Sequence, residues 1–394
     1  MVHALEDAGA LRDPRVRKAF LAEPRERYVP EVAHHDGLEA VYRPQAALVT
    51  VRDVNGAAVS SASAPSIMAA MLEALDLQPG LRVLEIGTGT GYNAALLRRL
   101  VEEAGTVTSV EVDPAIARSA RRHLAEGSHR VRVVVGDGRA GWPAQAPFDR
   151  IIATASSEYV PVAWRDQLVE GGLVVAPLRV GEGSEVRVVV GLRHERRVLR
   201  STVIFPGGFV PLRPLGTSNV QTASPPSLNA SASNGAKGIM LASLSGAGVG
   251  RLSAAARRRL LANALTPGRR LGAVPASKAY GLISFLLLHP GARTVGCTLG
   301  GRYGAGVIGP YGKSLGAVTC SFGKPGRIEA WGTGAAEAKL CALVDEWQQE
   351  GSPPLGSLAI TVSYEDSAMP VPKAWRQLRA REGTLSLNWR VTGG

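Results

Sequence analysis

Val83-Leu84-Glu85-Ile86-Gly87-Thr88-Gly89-Thr90-Gly91-Tyr92 is the stretch that decides the fold. Its first four residues form a short apolar run broken by one acid, the length of a buried strand. Three glycines on alternate positions follow, and helix-like sequence begins near Tyr92. Glycine lets the backbone turn sharply and approach a ligand closely, and the helix behind it offers free N–H groups. The segment suits a nucleoside cofactor, although alone it also fits a purely structural turn.

Downstream, short apolar runs at 107–112, 131–135, 151–153 and 173–176 alternate with helix-like stretches. This pattern predicts an α/β fold, a doubly wound, Rossmann-like parallel sheet with crossover helices. Glu111 ends the next strand twenty positions after Gly91, where its carboxylate can accept both ribose hydroxyl hydrogens. Asp137, in Gly136-Asp137-Gly138, ends the third strand and can accept from an adenine amino group. Singly, each acid reads equally well as a solvated loop residue; together, three strand ends point at one crevice. Glu85, ahead of the glycine turn, disfavours a dinucleotide pyrophosphate. It suits a cofactor with a cationic sulfonium and an ammonium group, which favours S-adenosylmethionine over NAD.

Residues 1–80 read as an N-terminal helical segment of the same domain, with apolar residues at three- and four-residue spacing over 13–22 and 64–75. The cofactor-binding core spans 81–214, and an antiparallel pair at 186–192 and 198–205 would extend its sheet at one edge. A Ser, Asn, Ala, Pro and Gly stretch at 215–238 reads as a flexible linker. Residues 239–394 read as a C-terminal α+β accessory domain, with helices at 252–265 and 335–350 but no motif and no internal repeat. The length of 394 residues agrees with two cores. With 45% apolar and 20% charged residues, wholesale disorder is excluded, while 46 glycines and 25 prolines imply long loops.

The formal charge of +12 favours an acidic partner without choosing among nucleic acid, membrane surface and acidic peptide. Glu6, Asp7 and Asp13 replace the basic start of a signal peptide, and no apolar run is long enough to span a bilayer, so no membrane partner is expected. Cys297, Cys320 and Cys341 are widely spaced, with no paired cysteine motif and no clustered histidines. They read as reduced thiols in a cytoplasmic protein, and no metal is expected.

From about residue 10 to about residue 213 the chain resembles the protein-L-isoaspartate O-methyltransferase family. The resemblance is carried by Arg27-Tyr28-Val29-Pro30, Ser63-Ala64-Pro65, the 85–91 turn, Glu111, Gly136-Asp137-Gly138 and Pro147-Phe148-Asp149. It continues through Val160-Pro161, Gly171-Gly172-Leu173-Val174 with Pro177, and Val210-Pro211-Leu212. It implies S-adenosylmethionine held by Glu85, Gly87, Thr88, Gly89, Gly91, Glu111, Asp137 and Gly138. It makes Ser63 the catalytic candidate, hydrogen-bonding the acceptor carboxylate beside the transferred methyl, with Ser61, Ala64 and Pro65 touching the acceptor. Without the resemblance, Ser60, Ser61, Ser63 and Ser66 fit a polar helix start.

An aspartyl-type carboxylate is ionised at neutral pH, so its in-line attack on a sulfonium methyl needs no general base, and positioning supplies most of the catalysis. His34, His35, His123 and His129 read as surface or structural. Enzymes of this fold that methylate bases or amines often carry Asn/Asp-Pro-Pro-Tyr/Phe after the fourth strand. Here residues 152–157 are Ile-Ala-Thr-Ala-Ser-Ser, and nucleic acid is not the expected partner.

Repair members of the family usually end near the position of Leu212. The longer architecture is similar to members encoded with ribosomally made lanthipeptides, graspetides and lasso peptides. In those an ordinary aspartate is esterified, and the ester passes to aspartimide or isoaspartate. The expected substrate is therefore an acidic precursor peptide, with repair of isoaspartyl-containing proteins and methylation of a small-molecule carboxylate as alternatives. Arg251, Arg257, Arg258, Arg259, Arg269 and Arg270 are either a peptide contact or a solvated face.

Overall fold

The strand expected around Val83 runs Arg82–Ile86 and lies between two parallel neighbours, Thr106–Glu111 and Phe148–Ala153. A strand in this position is covered on both faces, and Val83, Leu84 and Ile86 are fully buried. The computed structural model describes residues 1–54, 56, 58–181, 186–215, 227–233, 239–245, 247–290, 294–321, 323–367 and 374–390. Its main sheet has ten strands. Arg132–Val135, Thr106–Glu111, Arg82–Ile86, Phe148–Ala153 and Leu168–Val180 follow one another in parallel. Val186–Glu195, Val198–Pro206, Leu358–Ser363, Gly383–Trp389 and Arg376–Ala380 continue the sheet antiparallel.

The helices follow from apolar spacing and from their caps. Asp113 starts Pro114–Glu126 by accepting the N–H of Ala115 at 2.8 Å, and Asp13 starts Pro14–Ala22 by accepting that of Arg15 at 2.7 Å. Pro14–Ala22 and Pro65–Ala74, close to the helices expected at 13–22 and 64–75, share one core with Tyr92–Val101 through Phe20, Leu72, Leu96 and Leu97. The N-terminal segment is not helical throughout. Leu48–Arg52 and Ala58–Ala62 pair as an antiparallel hairpin, which the sequence does not announce because its first strand is largely exposed and lacks a buried alternation.

One buried carboxylate fastens these N-terminal helices to the sheet. Glu23 accepts from Tyr28 Oη at 2.8 Å, Arg27 Nη1 at 3.0 Å, Arg99 Nε at 2.6 Å and His129 Nε2 at 2.7 Å. Burial alone would raise its pKa, but the hydrogen bonds from His129, Arg99 and Tyr28 outweigh burial and hold it near about 2.

The C-terminal part is divided differently from expectation. Ser227–Ser233, inside the stretch read as a linker, is a strand that pairs with Ile239–Ser245, while 216–226 and 234–238 lie outside the described residues. These two strands open a seven-stranded antiparallel sheet that closes with Gly326–Gly332 and Arg269–Val274. The last three strands of the chain, however, belong to the main sheet, where Thr361 and Val362 stand opposite Arg200 and Leu199. Without them Val198–Pro206 would be an edge, exposing unpaired backbone and the buried Leu199 and Ile204. Ile360, Val362, Leu385 and Leu387 continue that same core.

The helices expected at 252–265 and 335–350 are Ala254–Ala264 and Ala335–Gln349. A further helix, Ala276–Leu288, is buried without interruption from Gly281 onward because it lies between the sheets, its Leu282, Phe285 and Leu286 in one cluster with Val186 and Val188 on one side and Ala305 and Val318 on the other.

Candidate active site

Two adjoining cavities open at the carboxyl ends of the parallel strands. Ser61, Gly87, Gly89 and Thr154 line both, so they form two halves of one crevice. The first half also takes in Glu111, Gly138, Leu212 and Arg213; the second takes in Ser63, Thr88, Tyr92, Asn93 and Phe209. The glycine turn shapes the boundary. Gly87, Gly89 and Gly91 have φ of 92°, 53° and 90°, the left-handed region open to glycine at little cost. A Cβ on Gly87 would meet Thr154 Oγ1 at 2.6 Å, and Thr154 in turn donates to the Gly87 carbonyl. Gly91 differs in role, facing Leu124 and Ala120 of the next helix rather than the crevice.

Glu111 lies on the wall of the first cavity, as its position at a strand end predicts. Its carboxylate accepts the N–H of Gly89 at 3.0 Å and that of Asp113 at 3.1 Å. Burial pushes its pKa up against those backbone N–H groups. Glu85 lies beneath the turn, fully buried, and is not among the residues lining either cavity. It accepts from Asn93 Nδ2 at 2.8 Å and from the Ser109 hydroxyl, and burial pushes its pKa up to about 7. With that hydroxyl donating to Glu85, Thr88 Oγ1 donates to Ser109 Oγ at 2.6 Å. Glu85 therefore meets the crevice through Asn93, which sequence reasoning missed even though it follows the glycine turn directly.

Asp137, expected to accept from an adenine amino group, is not among the residues lining either cavity. Its carboxylate is held by the backbone N–H and the guanidinium of Arg139, which outweigh burial and keep its pKa below the usual range. Gly138 lines the first cavity instead, and its carbonyl accepts from Trp164 Nε1 at 2.8 Å. Ala64 and Pro65, expected at the acceptor, are absent from both cavity walls. They begin the Pro65–Ala74 helix, with the Ala64 carbonyl accepting from Met68 N–H at 3.1 Å.

Ser63 and Ser61 do line the second cavity, and a residue the sequence reading passed over stands behind them. Arg25 is fully buried, donating from Nη2 to the Ser63 carbonyl at 2.8 Å and from Nε to the Val41 carbonyl at 3.0 Å. Its guanidinium lies 5.2 Å from the centre of the Tyr92 ring. Its signal in the sequence is only its place two residues before Arg27-Tyr28-Val29-Pro30. Over the crevice, 209–213 is held by a parallel bridge in which Ser156 N–H donates to Val210 and Leu212 N–H donates to Ser156, both at 2.8 Å.

The chemistry of this donor set fits S-adenosylmethionine. Glu85 and Glu111 are buried carboxylates at adjacent strand ends and make no salt bridge among the described residues, although the Arg213 charge acts on Glu111 from the same cavity wall; the pair favours a ligand bringing hydroxyl donors and positive charge. The fold and the crevice together define an S-adenosylmethionine-dependent methyltransferase. The sequence profile of the protein-L-isoaspartate(D-aspartate) O-methyltransferase family matches residues 1–213, and the chain belongs to that family.

Among its relatives, the protein-L-isoaspartate O-methyltransferase of Ignicoccus hospitalis is 37% identical over 213 residues, covering 54% of this chain and 95% of the relative. That of an Anaeromyxobacter species is 39% identical over 207 residues, covering 52% and 91%. A solved structure described as a protein-L-isoaspartate O-methyltransferase is 25% identical with a TM-score of 0.51, and the match covers 93% of this chain and 96% of the other. The enzyme is a carboxyl methyltransferase that uses S-adenosylmethionine. No helix among the described residues is long and apolar enough to cross a membrane.

Proposed function

We propose that this enzyme methylates the free α-carboxylate of isoaspartyl residues in proteins. The observation that carries this reading is the likeness over 93% of the chain to a structure described as a protein-L-isoaspartate O-methyltransferase, since it extends well past residue 213. A long C-terminal region therefore does not by itself call for a different acceptor.

Bound S-adenosylmethionine supplies a sulfonium methyl, and as a carboxylate oxygen gains the O–CH3 bond the S–CH3 pair leaves on sulfur, giving a methyl ester and S-adenosylhomocysteine. Ser63 donates a hydrogen bond to the acceptor carboxylate, and Arg25 fixes the Ser63 backbone from behind. Glu111 would accept from the ribose hydroxyls, while Glu85 would act through Asn93 on the charged half of the cofactor. Phe209 and Leu212 exclude water above it, which strengthens each polar contact in the crevice. Cys320, a buried thiol, suits a reducing cytoplasmic setting.

A second acceptor is an ordinary aspartate in an acidic precursor peptide, a reading supported by the serine-rich 60–66 segment. The test offers the enzyme S-adenosylmethionine with an isoaspartyl peptide and its aspartyl twin. Methyl ester on the isoaspartyl peptide alone supports repair. Ester, or subsequent loss of water, on the aspartyl peptide alone overturns repair in favour of peptide tailoring.

A further inference from the structure

We propose that the groove between the catalytic part and the C-terminal hairpin binds an acidic stretch of the acceptor polypeptide, away from the residue that is methylated. The choice of occupant rests on the polypeptide-methylating function above. One wall comes from Ser157 and Tyr159, in the loop after Phe148–Ala153; the other is four consecutive residues, Leu378, Arg379, Ala380 and Arg381. Successive strand side chains point to opposite faces. Four in a row can line one groove only if it runs along the strand edge and over the following turn. Arg376–Ala380 is the terminal strand of the ten-stranded sheet, so that edge carries no further strand among the described residues. Pro211 and Leu212 line this groove and the first cavity alike, so a chain lying in it passes beside the cofactor.

The charge of the lining selects the occupant. Arg139 and Arg179 are paired with Asp137 and Glu158, but Arg379 and Arg381 are exposed and have no ion-pair partner among the described residues. Two free arginines flanked by Leu378 and Leu385 suit an extended peptide with scattered carboxylates. A nucleic-acid backbone demands cations along its whole length. The basic cluster singled out in the sequence is a weaker candidate because part of it is already engaged. Arg257 donates to the Leu252 and Gly250 carbonyls, and Arg269 pairs with Glu337.

The test uses the full chain as Arg379→Glu with Arg381→Glu, and as Arg379→Lys with Arg381→Lys, each checked for an unchanged Tm. Two labelled peptides share one isoaspartyl residue but differ in flank, one rich in aspartate and glutamate, the other in serine and glycine. Charge reversal should weaken binding of the acidic-flank peptide about tenfold and raise its KM alike, with kcat and the neutral-flank peptide unchanged. The lysine pair should retain most of the affinity, and salt should weaken it. Equal affinity of native and charge-reversed chains for the acidic peptide, or a native chain indifferent to the flank, overturns the proposal. Tighter binding of a single-stranded oligonucleotide, abolished by the same reversal, also overturns it. Binding is read without turnover. A native chain that binds the acidic peptide through these arginines yet methylates neither peptide therefore supports the groove and refutes the assigned acceptor.

Discussion

Glu85 shows how one buried carboxyl reports on the whole crevice. In the free chain it titrates near 4.5 and in the fold near about 7, so the folded protein favours its neutral form. That contribution to stability is fully present below about 4.5 and is lost as pH rises through about 7. Glu85→Gln stays neutral, so the Tm of the ligand-free variant should fall less between about pH 6 and about pH 8 than that of the native chain. A cation brought near the carboxylate reverses the preference, so S-adenosylmethionine should bind the native chain more tightly across the same window while the variant stays flat. Calorimetry reads both, and a flat native profile would remove Glu85 from any role toward the charged end of the cofactor. At the turn above it, Gly87→Ala combines a positive φ with a clash against Thr154 Oγ1. Overpacking of this kind costs about 1–3 kcal/mol, so cofactor affinity should fall about tenfold or more with the fold retained.

At the scale of elements, the N-terminal helices are held to the sheet by Glu23, which joins the residue 25–28 turn, the Tyr92–Val101 helix through Arg99, and the loop carrying His129. Its pKa is depressed, so its contribution is present above about 4.5 and is lost as pH falls toward about 2. Glu23→Gln leaves buried donors without their charge and should destabilise the protein by about 3 kcal/mol, with acid unfolding less steep than in the native chain. Urea unfolding at neutral and acidic pH measures both, and an unchanged midpoint at neutral pH would show the network to be dispensable. His129, read from sequence as surface or structural, belongs to this network and so stands on the structural side.

Across the whole molecule, the catalytic sheet and the C-terminal strands are one packing unit. Tyr364 Oη donates to the Val160 carbonyl at 3.0 Å, Glu382 accepts the Val162 N–H at 2.9 Å, and buried Arg165 pairs with Asp366 beneath the Tyr364 ring. Trp164 then links this clasp to the Gly138 carbonyl at the cofactor cavity. A chain ending near residue 215 would lose the partner of the Val198–Pro206 strand and the cover over Leu178, Val186 and Val188. It should aggregate or unfold cooperatively at much lower temperature, as read by size-exclusion chromatography and calorimetry; a soluble fragment of native Tm would show the sheet to be complete without its last strands.

The strand, the glycine turn and the acids at successive strand ends were legible in the sequence because each is a local property. A short apolar run broken by one acid, glycines where φ must be positive, and a carboxylate at the end of the next apolar run need no knowledge of distant contacts. Residues 87, 89 and 111 accordingly stand where the sequence places them, on the crevice wall. Arg25 behind Ser63, the Arg139 grip on Asp137, and the return of the last strands to the first sheet left no periodic trace. The Ile360 N–H meets Ser201 Oγ across 159 residues of chain. What joins them is the need of an apolar edge strand for a partner, and only the folded chain shows which segment supplies it.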